Sequence, residues 1–395
     1  MIATGAASPA APGRKGPEPD RHYHLDALRS ILMLLGVFLH TSFLYAGGKP
    51  WLVKDDDSSD FLLLLNESIH FFRIPCFFIL SGFFALMLIK KQGREGFVKS
   101  RMRRLALPMV STAILFNSVQ TYLIHSARAH DWNPVSFAAS RAYALFWESG
   151  EWVGHLWFLV YALAYSVAAA FLWTAWKAFS PRVSGVRTRT RGPAPFLYRT
   201  LVRKGWFLLL LPIMHVAIYV GAAFAPLLYW NWGGLSGYGL LHFFPYFIFG
   251  LLVFLDRRLL EAFHRIRLWH LLAVPLLLSL ANLVHAWFPS DLGRIVNHYV
   301  DSFLVWLCCI ATFAAFRFLL NRKRRIFAYL SEASYSIYLF HHVCVVGLGL
   351  LLINEDWNVL LKFAVVVGIS LGFSLAAHHF LVLRVRILRL LFMGK

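Results

Sequence analysis

Apolar runs long enough to cross a hydrocarbon core of roughly 30 Å recur along the whole chain. They lie near residues 25–46, 61–89, 105–125, 153–176, 205–229, 238–255, 268–288, 297–316, 330–353 and 358–383. The pattern predicts an all-α integral membrane protein of about ten transmembrane helices, built as a single transmembrane domain over residues 22–395. Residues 1–21 are rich in Ala, Pro and Gly and have no apolar stretch after their first basic residues, so they read as a disordered tail and not as a signal peptide. The stretch 180–200, with alternating arginines, reads as a linker loop. No internal repeat is evident, which weakens a transporter built from duplicated halves.

Composition fits lipid as the main solvent: 59% of the 395 residues are hydrophobic and only 15% charged. The net charge of +20 would suggest nucleic acid in a soluble protein, and the placement of the basic residues decides against that. Segments holding 31 of the 39 basic residues alternate strictly with segments that hold few: the tail, then 90–104, 177–204, 257–267, 317–325 and the C-terminus. The other connections hold Lys49, Lys54, Arg128, Arg141, Arg294 and Lys362, beside the acidic group Asp55, Asp56, Asp57 and Asp60. The positive-inside rule then places both termini in the cytoplasm. The basic balance is a topology signal, and no nucleic-acid partner is expected. Cys76, Cys308, Cys309 and Cys344 all lie within spans without paired spacing, so neither disulfides nor a metal site is expected.

Ionisable groups inside lipid are costly, which makes each one a functional candidate. The first span, HLDALRSILMLLGVFLHTSFLY, places Arg29 and His40 11 residues apart. At about 100° per residue they share a face and lie about 16 Å apart along the axis, with Asp26 one turn before Arg29. The bland alternative is an arginine reaching lipid phosphates and a histidine bonded to a neighbouring helix. In the second span, NESIHFFRIPCFFILSGFFALML, Glu67 should reach the depth of His40 across an antiparallel hairpin. A carboxylate there would orient the imidazole as a general base. His70, Arg73 and Ser81 follow on the same helix, where Pro75 and Gly82 are expected to kink or thin it and let a ligand approach the backbone. A structural Glu67–Arg73 ion pair is the alternative. GHLWFLVY adds His155 and Trp157, the latter of a type that often merely anchors an interface. SYSIYLFHH adds Tyr335, Tyr338, His341 and His342, whereas His215, His285, His378 and His379 read as packing or interfacial histidines. At the cytoplasmic mouth, KSRMRRLALP supplies Lys99, Arg101, Arg103 and Arg104; ordinary topology charge would explain them, and they would also suit a phosphorylated ligand.

Arg29-x10-His40, the SGF of Ser81–Phe83, Arg101-x-x-Arg104 before Pro108, and SYSIYLFHH together resemble the acyltransferase 3 family. The resemblance runs from residue 22 to about 385 and is most specific in the first two spans. Many members carry DGLRG where this chain has Asp26, Ala27, Leu28, Arg29 and Ser30, and that departure points to a subgroup that succinylates osmoregulated periplasmic glucans. The resemblance implies a multi-pass enzyme of the bacterial inner membrane that moves an acyl group from coenzyme A to a sugar. Acyl-CoA, expected to be succinyl-CoA, would be a substrate on the cytoplasmic side; the partners would be a periplasmic glucan and the bilayer, with no bound cofactor. Arg29, Asp26, Arg101, Arg103 and Arg104 would serve the donor. His40 would be the base, oriented by Glu67, with His70, Ser81 or Tyr338 at the oxyanion. Arg73, His155, Trp157, Tyr335, Tyr338, His341 and His342 would line the acceptor pocket. An acyl-histidine intermediate stays open, as do acetylation of lipopolysaccharide or another surface glycan, a transporter or flippase using the buried charges as a relay, and assembly as a homo-oligomer.

Overall fold

The computed structural model describes residues 23–184, 207–256, 258, 259, 261, 283 and 291–395. The expected tail at 1–21, most of the linker at 180–200, the span at 268–288 and His285 lie outside the described residues. In chain order the helices are α1 Tyr23–Tyr45, α2 Asp60–Arg101, α3 Leu107–Thr112, α4 Ser118–Ala129, α5 Pro134–Ala139, α6 Arg141–Glu148 and α7 Trp157–Ser184. They continue with α8 Phe207–Ala223, α9 Gly237–Leu255, α10 Asp291–Leu320, α11 Arg325–Leu352, α12 Val359–Ala376 and α13 Arg386–Met393. Short π-helical segments at Met102–Ala106 and Ala113–Asn117 join α2, α3 and α4 into one helical run, Asp60–Ala129, which carries two of the expected spans.

Among the described residues seven helical stretches are long and apolar enough to cross a membrane, and α8 is a shorter apolar helix. The architecture is all-α, apart from a two-residue antiparallel ladder, β1 Asn231–Trp232 with β2 Leu235–Ser236. The span expected at 205–229 is cut short at Ala223. Pro226 restricts Ala225 before it, which takes φ −134° and ψ 70°, so the chain leaves the helix and enters the hairpin. Large apolar side chains such as Phe171, Trp176, Leu361 and Phe373 stand exposed around the bundle, where lipid is their natural solvent.

Two packing features position the site. First, α1 is the central helix, in contact with α2, α10, α11 and α12, and Leu28, Val37 and Leu44 on it are buried. Second, α2 and α9 cross at paired glycines: a Cβ on Gly82 would lie 2.0 Å from the carbonyl oxygen of Phe247, and one on Gly250 would lie 2.0 Å from that of Ile79. Small residues let helix backbones meet where no hydrophobic effect drives them together. This corrects the expectation for α2, because the space at Gly82 belongs to α9 and not to a ligand. Pro75 is buried within α2, and helical dihedrals fail inside Asp60–Arg101 only at Gly93 (φ 73°, ψ 174°).

Candidate active site

Helix α1 presents Arg29 to one cavity and His40 to another, and Met33, on the same helix between them, borders both. The arginine cavity has a volume of about 540 Å³ and the histidine cavity about 240 Å³. Phe77 of α2 and Phe158 of α7 also line both, so Met33, Phe77 and Phe158 form the wall between them.

His40, His70 and His155 line the histidine cavity, and His341 and His342 pack against the His40 ring. The His40 ring lies 4.7 Å from that of His342, 5.3 Å from His341 and 6.4 Å from His155, centroid to centroid. His155 and His342 stack at 4.4 Å with planes 8° apart. The rings around His40 are fixed from behind. His342 donates from Nδ1 to Oε1 of Gln120 on α4 at 2.5 Å, and His341 donates from Nδ1 to the carbonyl of Ile337 at 2.9 Å. A ring bonded through Nδ1–H keeps its Nε2 as an acceptor. Tyr338 donates its hydroxyl to the backbone carbonyl of His155 at 2.7 Å and thereby ties the α7 entrance to α11. His40 Nδ1 has no hydrogen-bond partner among the described residues. No group of three or more His, Cys, Asp or Glu among the described residues is arranged to hold a metal ion.

A loop covers this cavity. Residues 46–59 carry Pro50 and Trp51, both of which line it, and Trp51 lies 6.3 Å from His40 and 5.7 Å from His342. The loop is pinned at its base by backbone bonds from Asp55 to Leu44 and from Ser59 to Tyr45. Arg128 holds it by donating to the carbonyl of Leu52 at 3.0 Å. The strongest tie is a buried ion pair, Lys362 Nζ to Asp55 Oδ2 at 2.9 Å, with side chains 1% and 4% exposed. Within the same loop, burial pulls the Lys54 ammonium below its ordinary pKa, and that group donates to the carbonyl of Ala46.

Arg73 borders the histidine cavity with only 3% of its surface exposed. Its Nε donates to the carbonyl of Leu32 at 2.8 Å, and its guanidinium lies 5.5 Å from the ring of Phe77. Gly36 makes room for it: a Cβ there would lie 2.4 Å from the guanidinium. Among the described residues no carboxylate pairs with Arg73. A buried cation left in that state is costly unless a ligand supplies the counter-charge.

The arginine cavity is of a different kind. Arg29, Arg101 and Arg104 line it within electrostatic reach of one another, together with Asp26 and Ser81. Arg29 donates to both the carbonyl (3.3 Å) and the hydroxyl of Ser331. Arg101 lies over the ring of Phe97 at 5.0 Å, and its Nε has no partner among the described residues. Lys395, paired with Glu332 at 3.1 Å, adds a further cation to the wall. Three guanidinium groups around one space form a natural anion site.

Several expectations need correction. Glu67 does not reach His40: its side chain is 56% exposed and pairs with Lys49 at 3.3 Å, and this also removes the alternative Glu67–Arg73 pair. Ser81 and Tyr335 line the arginine cavity and not the histidine one, because eleven residues along a helix carry Ser81 three turns away from His70. Arg103 is exposed and lies outside the arginine cavity that its neighbours Arg101 and Arg104 line. Tyr338 lines the histidine cavity, but its hydroxyl proton is already directed at a carbonyl. His70 and Trp157 do border that cavity. Gln120, Trp51, Gly36 and the Asp55–Lys362 pair were not anticipated. Gln120 had a usable signal, as an amide inside an apolar span; Trp51 had none, because it sits in a connection.

The model of the acyltransferase domain matches residues 22–379. The chain belongs to the acyltransferase 3 family. Proteins named glucans biosynthesis protein C from Salmonella paratyphi B and Salmonella dublin are each 27% identical over 379 residues, which cover 95% of this chain and 95% of theirs. The protein of that name from Salmonella schwarzengrund is 26% identical over the same length. No solved structure matches the chain. The protein is thus a multi-pass membrane acyltransferase of the acyltransferase 3 family, and its two cavities, one at Arg29 and one at His40, meet along α1 at Met33.

Proposed function

We propose that this acyltransferase moves a succinyl group from succinyl-CoA to a hydroxyl of a periplasmic glucan, across the bacterial inner membrane with both termini in the cytoplasm. The single observation that favours a dicarboxylic acyl group is Arg73, a buried guanidinium that borders the His40 cavity without a carboxylate partner. A succinyl thioester carries its free carboxylate two methylenes from the reacting carbonyl, close enough for one cavity to hold both groups. An acetyl group would leave the Arg73 charge unanswered. The glucan acceptor is supported by the relatives named for glucan biosynthesis.

In this reading the nucleotide phosphates of the donor sit among Arg29, Arg101 and Arg104, and the pantetheine arm passes the wall at Met33, Phe77 and Phe158. A positioned thioester gains most of its rate from being held beside the attacking hydroxyl. His40 takes the proton of that hydroxyl as the oxygen bonds to the thioester carbon. The carbon–sulfur bond then breaks, and the thiolate of coenzyme A takes the proton back from the His40 imidazolium. His341 and His342, fixed through their Nδ1 atoms, hold the cavity in shape around it.

The test is a donor comparison with purified protein in nanodiscs, weighing the product by mass spectrometry. Arg73→Met should lower succinyl transfer by about 10- to 100-fold relative to acetyl transfer, the scale of one lost charged contact. Equal loss with both donors would assign Arg73 to the oxyanion instead. A wild-type enzyme that acetylates and does not succinylate would overturn the reading.

A further inference from the structure

A third cavity, of about 460 Å³, lies between α2, α7, α9 and α10 beneath the β-hairpin. It borders the histidine cavity, with which it shares His70, Ile74 and Trp157. Its floor is aromatic: the Trp157 ring lies 5.5 Å from Tyr161 and 5.5 Å from Phe243. Polar groups line it as well, from His242 on α9 and His298, Asp301 and Ser302 on α10. His242 Nδ1 and His298 Nε2 are buried without hydrogen-bond partners among the described residues. The side chains are nevertheless held in place. His298 stacks on Tyr219 at 4.5 Å, and His242 packs at 5.2 Å from the buried His215 behind it. His215 was expected to be mere packing, and here it backs a second histidine group. The hairpin roof is tied down by Tyr161, whose hydroxyl donates to the carbonyl of Ser236 at 3.0 Å and accepts from its amide at 2.8 Å.

Among the described residues no lysine or arginine lines this cavity, in contrast to the arginine cavity. That argues against a phosphate or carboxylate ligand. Aromatic faces beside a few neutral or acidic hydrogen-bonding groups suit an uncharged polyhydroxy ring, whose C–H face packs on the aromatics while its hydroxyls meet the polar groups. The volume falls within the ordinary range for small-molecule sites, about 300–1,000 Å³. The His40 cavity is the smaller of the two and must already hold the acyl end and the attacking hydroxyl.

We propose that this cavity is an acceptor subsite, which binds the neutral sugar units adjacent to the one being acylated and feeds the reacting unit past Trp157 and His70 to His40. The inference rests on a glycan being the acceptor and deepens that reading. It makes His242, His298 and Asp301 determinants of acceptor length.

The test measures binding apart from transfer. Donor-free protein in nanodiscs is titrated with linear β-glucan oligosaccharides of two to six glucose units, read by tryptophan fluorescence. Affinity should rise with length, and His298→Ala and Asp301→Ala should each weaken the longer oligosaccharides by about tenfold or more and flatten the length dependence. In the wild-type protein a diazirine-tagged oligosaccharide should crosslink to the peptides carrying His242 or His298, which keeps the test valid if a variant fails to fold. Unaltered affinity in both variants, or crosslinks confined to other helices, would overturn the subsite. So would a co-purified lipid at these helices that the glucan does not displace. If the wild type binds no glucan at all, the subsite and the glucan acceptor fall together. If it binds as described but transfers no succinyl group, the donor reading fails and the subsite stands.

Discussion

The two cavities along α1 differ in how they hold their polar groups. Around Arg29 the cations are half-buried or exposed, and several line one common space. Around His40 the neighbouring rings are almost wholly buried, and His341 and His342 are each tied by a specific bond to a carbonyl or an amide. A phosphate site works by summed charge and tolerates mobile donors. A proton-transfer site needs one ring atom at one place, so its neighbours must be locked. In the proposed reaction the same helix face would therefore serve an electrostatic task at one end and a geometric one at the other.

The sharpest way to break this comparison is at His40. His40→Ala should lower turnover by about 10²- to 10⁴-fold, the usual contribution of a general base. Donor affinity, measured by equilibrium binding of the acyl-CoA, should stay within a few-fold of wild type. A loss of affinity as large as the loss of turnover would mean that the two cavities do not divide the work.

Much of this division was legible in the sequence. The 11-residue spacing of Arg29 and His40 placed both on one face of a helix, and SYSIYLFHH brought His341 and His342 forward as partners. Hydropathy placed the seven helical stretches that are long and apolar enough to cross a membrane among the described residues, because lipid imposes a length and an apolar composition on each of them. The partners of the charged groups were not legible. Glu67 was expected beside His40 from depth alone, and depth does not say which way a side chain turns around its helix; it turns outward, to Lys49. Lys362 belonged by its position to a weakly basic connection, yet it is buried against Asp55, 307 positions away in the chain. A contact over that separation leaves no local pattern. Trp51 escaped for a related reason: hydropathy ranks spans, and it sits in the connection that closes over the site.

The Asp55–Lys362 pair sharpens the comparison, because only the histidine cavity depends on a pinned loop. Lys362→Met should leave Asp55 buried and unpaired, at a cost of about 3–5 kcal/mol. The thermal unfolding midpoint should fall, and turnover should drop as Trp51 loses its hold beside His40. The double variant Asp55→Leu/Lys362→Met should recover much of the stability, since replacing both partners removes the stranded charge. Donor affinity should hold throughout. A weakened donor with an unchanged turnover would place the effect of the loop at the wrong cavity.

The smallest expected effect is at the arginine end. Arg104 lines its cavity from an exposed position, so water and salt already screen it. Arg104→Ala removes one of several cations around the same space, and the others compensate in part. Affinity for the acyl-CoA should fall by about tenfold, consistent with one charge-assisted hydrogen bond. The loss should shrink as ionic strength rises, because the Debye length contracts to about 8 Å at physiological salt. A truncated donor, acyl-pantetheine without the nucleotide, supplies the decisive control. It carries no phosphates to meet Arg104, so its kinetics should be the same in the variant and the wild type. If the variant slows both donors equally, the arginine cavity acts on the chemistry and not on the nucleotide, and the contrast between a loose anion site and a locked proton-transfer site no longer holds.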